Sequence, residues 1–505
     1  MGEIDLINEK ATMALGQDIA MALQRGDVVA LAGDLGAGKS TLARAALRAL
    51  AANPKLEVPS PTYTLCQRYD LLFPVFHFDF YRLSSEAELE ELGFDEACQN
   101  GAVIVEWPQI AAGRIAKQAL HVDLSHGAGT GRVARISAGG NAPDSLAARF
   151  GRSCKIRRFL ETNFGIGTER RFLQGDASSR RYETAHRRGK TRILMDAPRQ
   201  PDGPPIRDAK PYSRIARLAE DVVPFIAIAQ TLHNAGLAAP TIHAASTSEG
   251  LLLIEHLGKG LLAGTQGKAV LARYLEAARL LAMMHQRKWP RKVAVAEVFG
   301  KNMLHQVPVY DRDALMIEAS LMADWYVPHV SSKPLGSNER AQFEKIWEVL
   351  IAQIDGSMPT LVMRDYHSPN LIWRPRHKFP LNLGLIDFQD AVIGPQAYDL
   401  ASLAQDARVD ISRSMEKAIV EHYLNLCRAQ ASFDETSFRR DYAVLAAHRA
   451  TKILGIFVRL NQRDNKPAYL KHLSRMRDYL ERNLRHPALA DYREWCKRVA
   501  GFDGT

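Results

Sequence analysis

The sequence predicts an α/β domain built on a mainly parallel sheet, followed by an α+β domain whose small β-rich lobe precedes a larger helical one. Three observations predict this. Apolar runs of strand length alternate with amphipathic helical stretches over the first 140 residues. Turn residues cluster at Gly139-Gly140-Asn141-Ala142-Pro143-Asp144. Beyond them a β-rich stretch gives way, from Lys268 onward, to helical periodicity. A chain of 505 residues exceeds what one hydrophobic core organises, so two or three domains are expected.

Taken in order, Thr12–Gln24 is amphipathic, Val28–Ala32 reads as a buried strand, and Ser40–Ala51 is Ala/Leu-rich and helical. Val75–Phe80, Val103–Glu106 and Arg132–Ser137 read as further strands. The turn cluster sets a linker over 141–152, and Ser153–Asn163 is a basic helix opening the second domain. A Gly-containing turn, Gln174–Ser179, leads into strands at Arg181–Ala185 and Thr191–Met195. Five prolines make Asp196–Pro211 a loop, and Leu251–Leu257 is another strand. Two short strands, Thr360–Met363 and Leu383–Phe388, interrupt the helices, and the last hundred residues are nearly all helical.

Composition narrows the function classes. No stretch of 18 apolar residues is present, and the opening Met1-Gly2-Glu3-Ile4-Asp5 carries two acids, so neither a membrane span nor a signal peptide is expected. Five scattered cysteines without a Cys-x-x-Cys pair fit a reducing cytoplasm and argue against a disulfide framework or a cysteine zinc site. Of the net charge of +10, residues 1–140 account for −5 and the remainder for +15. A basic half suits nucleic acid or, equally, anionic small molecules, but no run of five like charges occurs, so solvated faces are the favoured reading.

The first chemical signal is Gly33-Asp34-Leu35-Gly36-Ala37-Gly38-Lys39-Ser40-Thr41, a P-loop between an expected strand and an expected helix. Its glycines let backbone N–H groups converge on phosphate oxygens at a helix N-terminus. Lys39 reaches the β- and γ-phosphates of ATP, and Ser40 is a Mg²⁺ ligand. Glu106, ending an apolar strand, is the second Mg²⁺ candidate. Asp79 lies among His77 and aromatics. It either holds a metal-bound water or orients the attacking one, or else pairs structurally with Arg82. Thr62 and Thr64 occupy a Pro-containing loop suited to sensing nucleotide, and Trp107 either packs near the nucleotide or belongs to the core.

Ser60-Pro61-Thr62-Tyr63-Thr64-Leu65, His77-Phe78-Asp79-Phe80-Tyr81-Arg82-Leu83, Glu91-Leu92-Gly93-Phe94 and Val105-Glu106-Trp107-Pro108-Gln109 follow the P-loop in order. Over residues 5 to 138 the chain thereby resembles the TsaE family, ATPases of the bacterial machinery that makes N6-threonylcarbamoyladenosine at tRNA position 37. Tyr63 and Phe80 stand where the family usually has Phe and Leu. The resemblance implies partnership with the TsaD transferase and its scaffold TsaB, with tRNA met only indirectly.

The second signal is Leu361-Val362-Met363-Arg364-Asp365-Tyr366-His367-Ser368-Pro369-Asn370, with Asp387 at the end of a later strand. In a kinase-type site one Asp orients the acceptor hydroxyl while an Asn and a second Asp hold Mg²⁺ on the ATP phosphates. Asp365, Asn370 and Asp387 take those parts. His367 points to the γ-phosphate or is simply a satisfied loop residue.

With Gly175-Asp176-Ala177-Ser178-Ser179-Arg180-Arg181-Tyr182, Leu194-Met195-Asp196-Ala197-Pro198 and Gly394-Pro395-Gln396-Ala397-Tyr398-Asp399-Leu400, residues 155 to 490 resemble the aminoglycoside phosphotransferase family. Within it they are most similar to the AmgK-like kinases of cell-wall recycling, which phosphorylate the anomeric hydroxyl of N-acetylmuramate and N-acetylglucosamine. Met363 replaces the family's usual His, and Met195 stands where many kinases place a phosphate-binding Lys, so Arg180 or Arg181 takes that role. The resemblance makes Glu255-His256-Leu257 the interlobe linker, with Glu255 and Leu257 offering backbone groups to adenine. Tyr310, Asp311, Glu318, Asp324 and Trp325 shape the acceptor pocket or lie on a surface helix. The expected protein is an α/β P-loop NTPase domain (1–140) joined to an α+β protein-kinase-like, two-lobed phosphotransferase domain (153–505). Two alternatives for the second domain stay open: a non-catalytic docking module and an aminoglycoside-type kinase.

Overall fold

The computed structural model describes the chain except residues 1, 116–118, 140, 141, 143, 174–179, 265, 296–302, 432 and 503–505. Two compact units emerge, one over residues up to 195 and one over 196–505, leaving aside 177–179. Part of the expected boundary cluster and all of the turn Gln174–Ser179 lie outside the described residues.

The first unit is organised by a seven-stranded sheet in the order β1-β7-β6-β2-β5-β4-β3. The strands are β1 (Glu3–Leu6), β2 (Val28–Gly33), β3 (Cys66–Asp70), β4 (Pro74–Asp79), β5 (Ala102–Glu106), β6 (Leu120–His126) and β7 (Arg132–Ala138). The middle of the sheet is parallel, β2 pairing with both β5 and β6 and β4 with β5, while β1, β3 and β7 add antiparallel edges. β2 is apolar throughout because both its faces are covered. Val29 and Leu31 enter a core with Leu15 and Ile19 of α1 (Glu9–Ala22) and Leu42 and Leu47 of α2 (Lys39–Leu50). Val28 and Ala30 enter the opposite core with Phe78, Phe80 and Phe94. The last of these opens a short helix, Phe94–Asn100.

The basic helix begins earlier than the sequence suggested, at Leu146, with Ser145 capping the Ala148 N–H, so it overlaps the expected linker. Its packing partner is α1, and buried charges fix the contact. Asp18 of α1 accepts from Arg157 Nε at 2.5 Å on one oxygen and from Arg170 Nη1 at 2.7 Å on the other. Arg170 lies in the strand Glu169–Leu173 and also grips Glu183, in the partner strand Arg181–Arg187, with two bonds of 2.7 and 2.8 Å. Arg149 pairs with Asp27 at the other end of the helix.

In the second unit, strands Ile242–Ser246 and Leu251–Glu255 form an antiparallel pair. The Pro-rich stretch is not wholly loop: Pro205–Arg207 and Lys210–Pro211 make a small ribbon, turned by Asp208 and Ala209 at φ 51° and 55°. Two further ribbons build the centre, Pro359–Val362 with Val392–Pro395 and Leu371–Trp373 with Leu383–Leu385. Around them pack helices Leu271–His285, Arg312–Leu321, Ala397–Ala404, Arg413–Cys427 and Glu435–Gln462. The last of these is largely buried over Ala443–Val458, which gives a 28-residue helix a place without strong amphipathicity.

Candidate functional site

Each unit gathers the chemistry-bearing residues of its sequence motifs into one place. In the first, the parallel strands β2, β4 and β5 deliver Gly33, Asp79 and Glu106 to one edge, with Asp79 and Glu106 in register. Strand carboxyl ends beside a helix N-terminus make an anion site. Gly33 has φ +130°, and a Cβ there would lie 2.2 Å from the Leu124 carbonyl oxygen, so only glycine fits.

Lys39 is buried and its ammonium donates to the carbonyls of Gly33 (2.8 Å) and Asp34 (2.9 Å), lying 3.7 Å from the centre of the Trp107 ring. Burial lowers its pKa, while Glu106, Asp79 and Asp34 pull the other way. Trp107 packs on the aromatic core and lies over the P-loop lysine. Ser40 donates to Glu106 Oε2 at 2.8 Å, and His77 Nε2 is 2.9 Å from Oε1. Asp79 accepts from Thr62 (2.7 Å), Ser60 (3.1 Å) and the Tyr81 N–H (3.0 Å), whereas Arg82 lies over the Tyr63 ring. Thr64 is exposed nearby, and Thr41 is half-buried in the first turn of α2.

Among the described residues no three His, Cys, Asp or Glu side chains cluster as a metal site. Ser40 and Glu106 nevertheless fit Mg²⁺, which takes a few hard protein oxygens and completes its shell with phosphate and water. Sequence reasoning missed Arg132. From β7 it donates to the P-loop carbonyls of Ala37 (3.1 Å) and Gly36 (3.2 Å), bracing the loop from 95 residues away.

In the second unit the Asp365–Asn370 loop joins the two central ribbons. Asp365 is exposed, Asn370 and Asp387 half-buried. Asn370 Nδ2 donates to the Asp365 carbonyl (3.0 Å) and lies 3.5 Å from Asp387 Oδ2, and the Ile386 N–H donates to the Asn370 carbonyl (3.1 Å). Two oxygen-bearing side chains held side by side again suit Mg²⁺. Asp387 sits at φ +58°, its Oδ1 receiving Gln389 Nε2 at 3.0 Å, while Phe388 stacks on Phe225. Crowding by protein would raise the Asp365 pKa, but the charges of His367, Lys452, Arg449 and Arg364 outweigh it and lower it. A cleft of about 610 Å³ opens beside Gln389, lined among others by Lys210, Arg214, Arg217 and His305.

Met363 leaves the loop well braced. Its N–H and that of Arg364 donate to the buried carboxyl of Asp399 at 2.6 and 2.9 Å. Burial lifts that carboxyl to about 7 despite these bonds. His367 is buried with Nδ1 3.7 Å from Asp406, whose carboxylate also receives the Ser368 N–H at 2.8 Å. Glu318 is fully buried beneath the loop, receiving Tyr310, Arg364 and Lys452. Asp311 caps the helix Arg312–Leu321 and pairs with Arg217, and Asp324 pairs with Arg340, beside a half-buried Trp325. The Glu255 N–H is taken by the Thr241 carbonyl, and Leu257 is buried. In the first unit, Met195 is buried, Arg181 is exposed and Arg180 is half-buried.

The family described as threonylcarbamoyl adenosine biosynthesis protein TsaE matches residues 6–134, and the phosphotransferase enzyme family matches residues 169–439. The chain is 36% identical over 365 residues to the N-acetylmuramate/N-acetylglucosamine kinase of Caulobacter vibrioides, an alignment covering 67% of this chain and 94% of that protein. The enzyme of the same description from Pseudomonas putida is 30% identical over 325 residues, covering 63% and 85%. The tRNA threonylcarbamoyladenosine biosynthesis protein TsaE of Rickettsia felis is 36% identical over 120 residues, covering 24% of this chain and 70% of that protein.

Proposed function

The chain belongs to the TsaE family through its N-terminal region and to the phosphotransferase enzyme family through its C-terminal region, and on that premise we propose what each half acts on. Both halves are ATP-using enzymes. Residues 1–140 hydrolyse ATP in support of threonylcarbamoyladenosine formation at tRNA position 37, partnered by TsaD and TsaB, with tRNA met through them. The C-terminal region transfers the γ-phosphoryl group of ATP to the anomeric hydroxyl of N-acetylmuramate or N-acetylglucosamine. Both reactions belong in the cytoplasm; no helix among the described residues is long and apolar enough to cross a membrane.

The observation that carries the kinase reading is the exposed Asp365 carboxylate, kept ionised by its cationic neighbours on a loop tied through Asn370 to Asp387. Asp365 accepts the hydrogen bond of the acceptor hydroxyl and takes its proton as the new O–P bond forms and the β–γ bridge bond breaks. Asn370 and Asp387 would hold Mg²⁺, which when bound would neutralise charge on the phosphates. The Gly33–Thr41 cradle orients phosphates in the first half, Ser40 and Glu106 would hold Mg²⁺, and Asp79 with Thr62 positions the attacking water.

Full-length protein with Mg-ATP and either sugar is expected to give a sugar 1-phosphate by ³¹P NMR, and Asp365→Asn to stop it with ATP binding kept. Turnover of aminoglycosides instead, or of nothing, would sink the sugar-kinase assignment. Lys39→Ala is expected to abolish the tRNA modification in cells while sugar phosphorylation survives; normal modification would remove the first assignment.

A further inference from the structure

Beside Asn370 and Asp387, one side-chain amide is only half used. Gln389 lines the cleft of about 610 Å³ and is 3% exposed. Its Nε2 donates to Asp387 Oδ1 at 3.0 Å and to Asp390 Oδ2 at 3.1 Å. Both partners are carboxylates, which accept, so the amide is fixed with its nitrogen towards them. Oε1 is then left shielded from water, and among the described residues nothing donates to it. A buried carbonyl oxygen without a donor is unfavourable and uncommon in a folded protein.

The cleft holds a second such atom. His305, in the strand Met303–Gln306, lines it as well, and its Nε2 is buried without a partner. The cations of the cleft are, by contrast, paired or hydrated. Arg214 pairs with Asp202 and Glu220, Arg217 pairs with Asp311, and Lys210 is exposed. What is unmet is therefore the hydrogen bonding of two neutral side chains, which suits a neutral polar group better than an anion. The volume falls within the range of about 300–1,000 Å³ typical of small-molecule sites.

The cleft is also tied to the reacting groups. Asp390 Oδ1 takes the N–H of Ala219, a lining residue, at 2.6 Å. Two residues before Arg217, which lines it too, no link is needed beyond Ala216, whose carbonyl takes Nη1 of Arg364, the residue before Asp365, at 2.9 Å. Gln389 itself is one hydrogen bond from Asp387, the carboxylate proposed to hold Mg²⁺ on the phosphates. In both acceptors proposed above, the substituent next to the reacting anomeric hydroxyl is an acetamido group, and its N–H is the kind of donor that Oε1 lacks. We infer that the cleft receives the acceptor sugar and that Gln389 is a specificity-determining residue, its Oε1 accepting the hydrogen bond of the acetamido N–H while its Nε2 holds Asp387. The inference rests on the sugar-kinase reading above and deepens it.

The test compares N-acetylglucosamine with 2-O-acetylglucose, which keeps the acetyl group but has an ester oxygen in place of the N–H. The full chain is assayed at saturating Mg-ATP for KM of the amide and for the constant with which the ester competes against it. Wild type is expected to bind the ester about 10- to 100-fold more weakly, the range for leaving a buried acceptor unpaired. Gln389→Met removes Oε1 and is expected to raise KM for the amide by a similar factor while moving the ester constant only a few-fold, so the preference collapses. Gln389→Glu keeps an acceptor oxygen and loses the donor; it should retain the preference and need more Mg²⁺ for half-maximal rate. Equal binding of amide and ester by wild type, or a preference that survives in Gln389→Met, overturns the inference, and the wild-type comparison decides it even if neither variant folds. Absence of any sugar turnover by wild type would instead refute the parent reading and take this one with it.

Discussion

Replacing Asp18 by Asn removes the single carboxylate that stands between Arg157 and Arg170. Asp18 is 3% exposed and Arg170 is 1% exposed, so the Arg170 guanidinium cannot turn to water without opening the packing of α1 on the helix Leu146–Asn163. Glu183 continues to hold Arg170, while Arg157 is left with the Gln17 amide oxygen. Removing one partner of a buried pair costs about 3–5 kcal/mol, because the charge left behind is neither hydrated nor compensated. For a unit of this size each kcal/mol moves the midpoint by about 2–4 °C, so the lowest melting transition of the full chain should fall by about 6–20 °C in scanning calorimetry. The exposed pair Arg135–Glu3, bridging the edge strand β1 and its neighbour β7 at 2.6 Å, supplies the control, and Glu3→Gln should leave the midpoint unmoved. A shift under about 2 °C for Asp18→Asn would refute the argument that this network sets the stability of the first unit. By the same logic a fragment beginning at residue 153 leaves Arg157 and Arg170 without Asp18 and should melt lower than the full chain, which is why the activity tests above use the intact protein.

Two further outcomes are expected. Arg364 and Lys452 hold the Glu318 carboxyl down to about 2 against the upward push of burial. Its folded pKa therefore lies below its unfolded one, and its stabilisation is complete above about pH 4.5 and lost as pH falls through about 2, with a size on the order of 3 kcal/mol. Urea midpoints from pH 6 to pH 2 should fall less steeply for Glu318→Gln than for wild type, and parallel curves would contradict this. Arg132→Gln frees the Gly36 and Ala37 carbonyls of the P-loop, so KM for ATP hydrolysis in the first half should rise about 3- to 10-fold, the scale of one or two net hydrogen bonds. An unchanged KM would mean that the loop holds its shape alone.

Both active loops were legible in the sequence because their chemistry is local. Gly33 to Thr41 is one contiguous stretch whose glycines and helix start already define the cradle, and Asp365 to Asn370 is a second. Apolar runs such as Val28–Gly33 announced the buried parallel strands for the same reason, since a strand covered on both faces must be apolar along its length. The start of the basic helix was less legible. Ser145 is an ordinary cap, but the turn residues just before it masked the signal.

Tertiary structure alone decided which distant groups meet, at these loops and elsewhere. Arg132 meets the P-loop from 95 residues away, Asp399 takes the N–H groups of Met363 and Arg364 from 36 and 35 away, and Asp18 meets Arg170 across 152. Arg449 and Lys452 lie in a helix whose pattern announces only burial. A paired charge has no periodicity and no fixed spacing; its partner is set by how separate elements pack, and its worth by the water that packing excludes. The sequence therefore determined which two loops are proposed for phosphate and metal chemistry, and the fold determined which distant charges hold those loops in place.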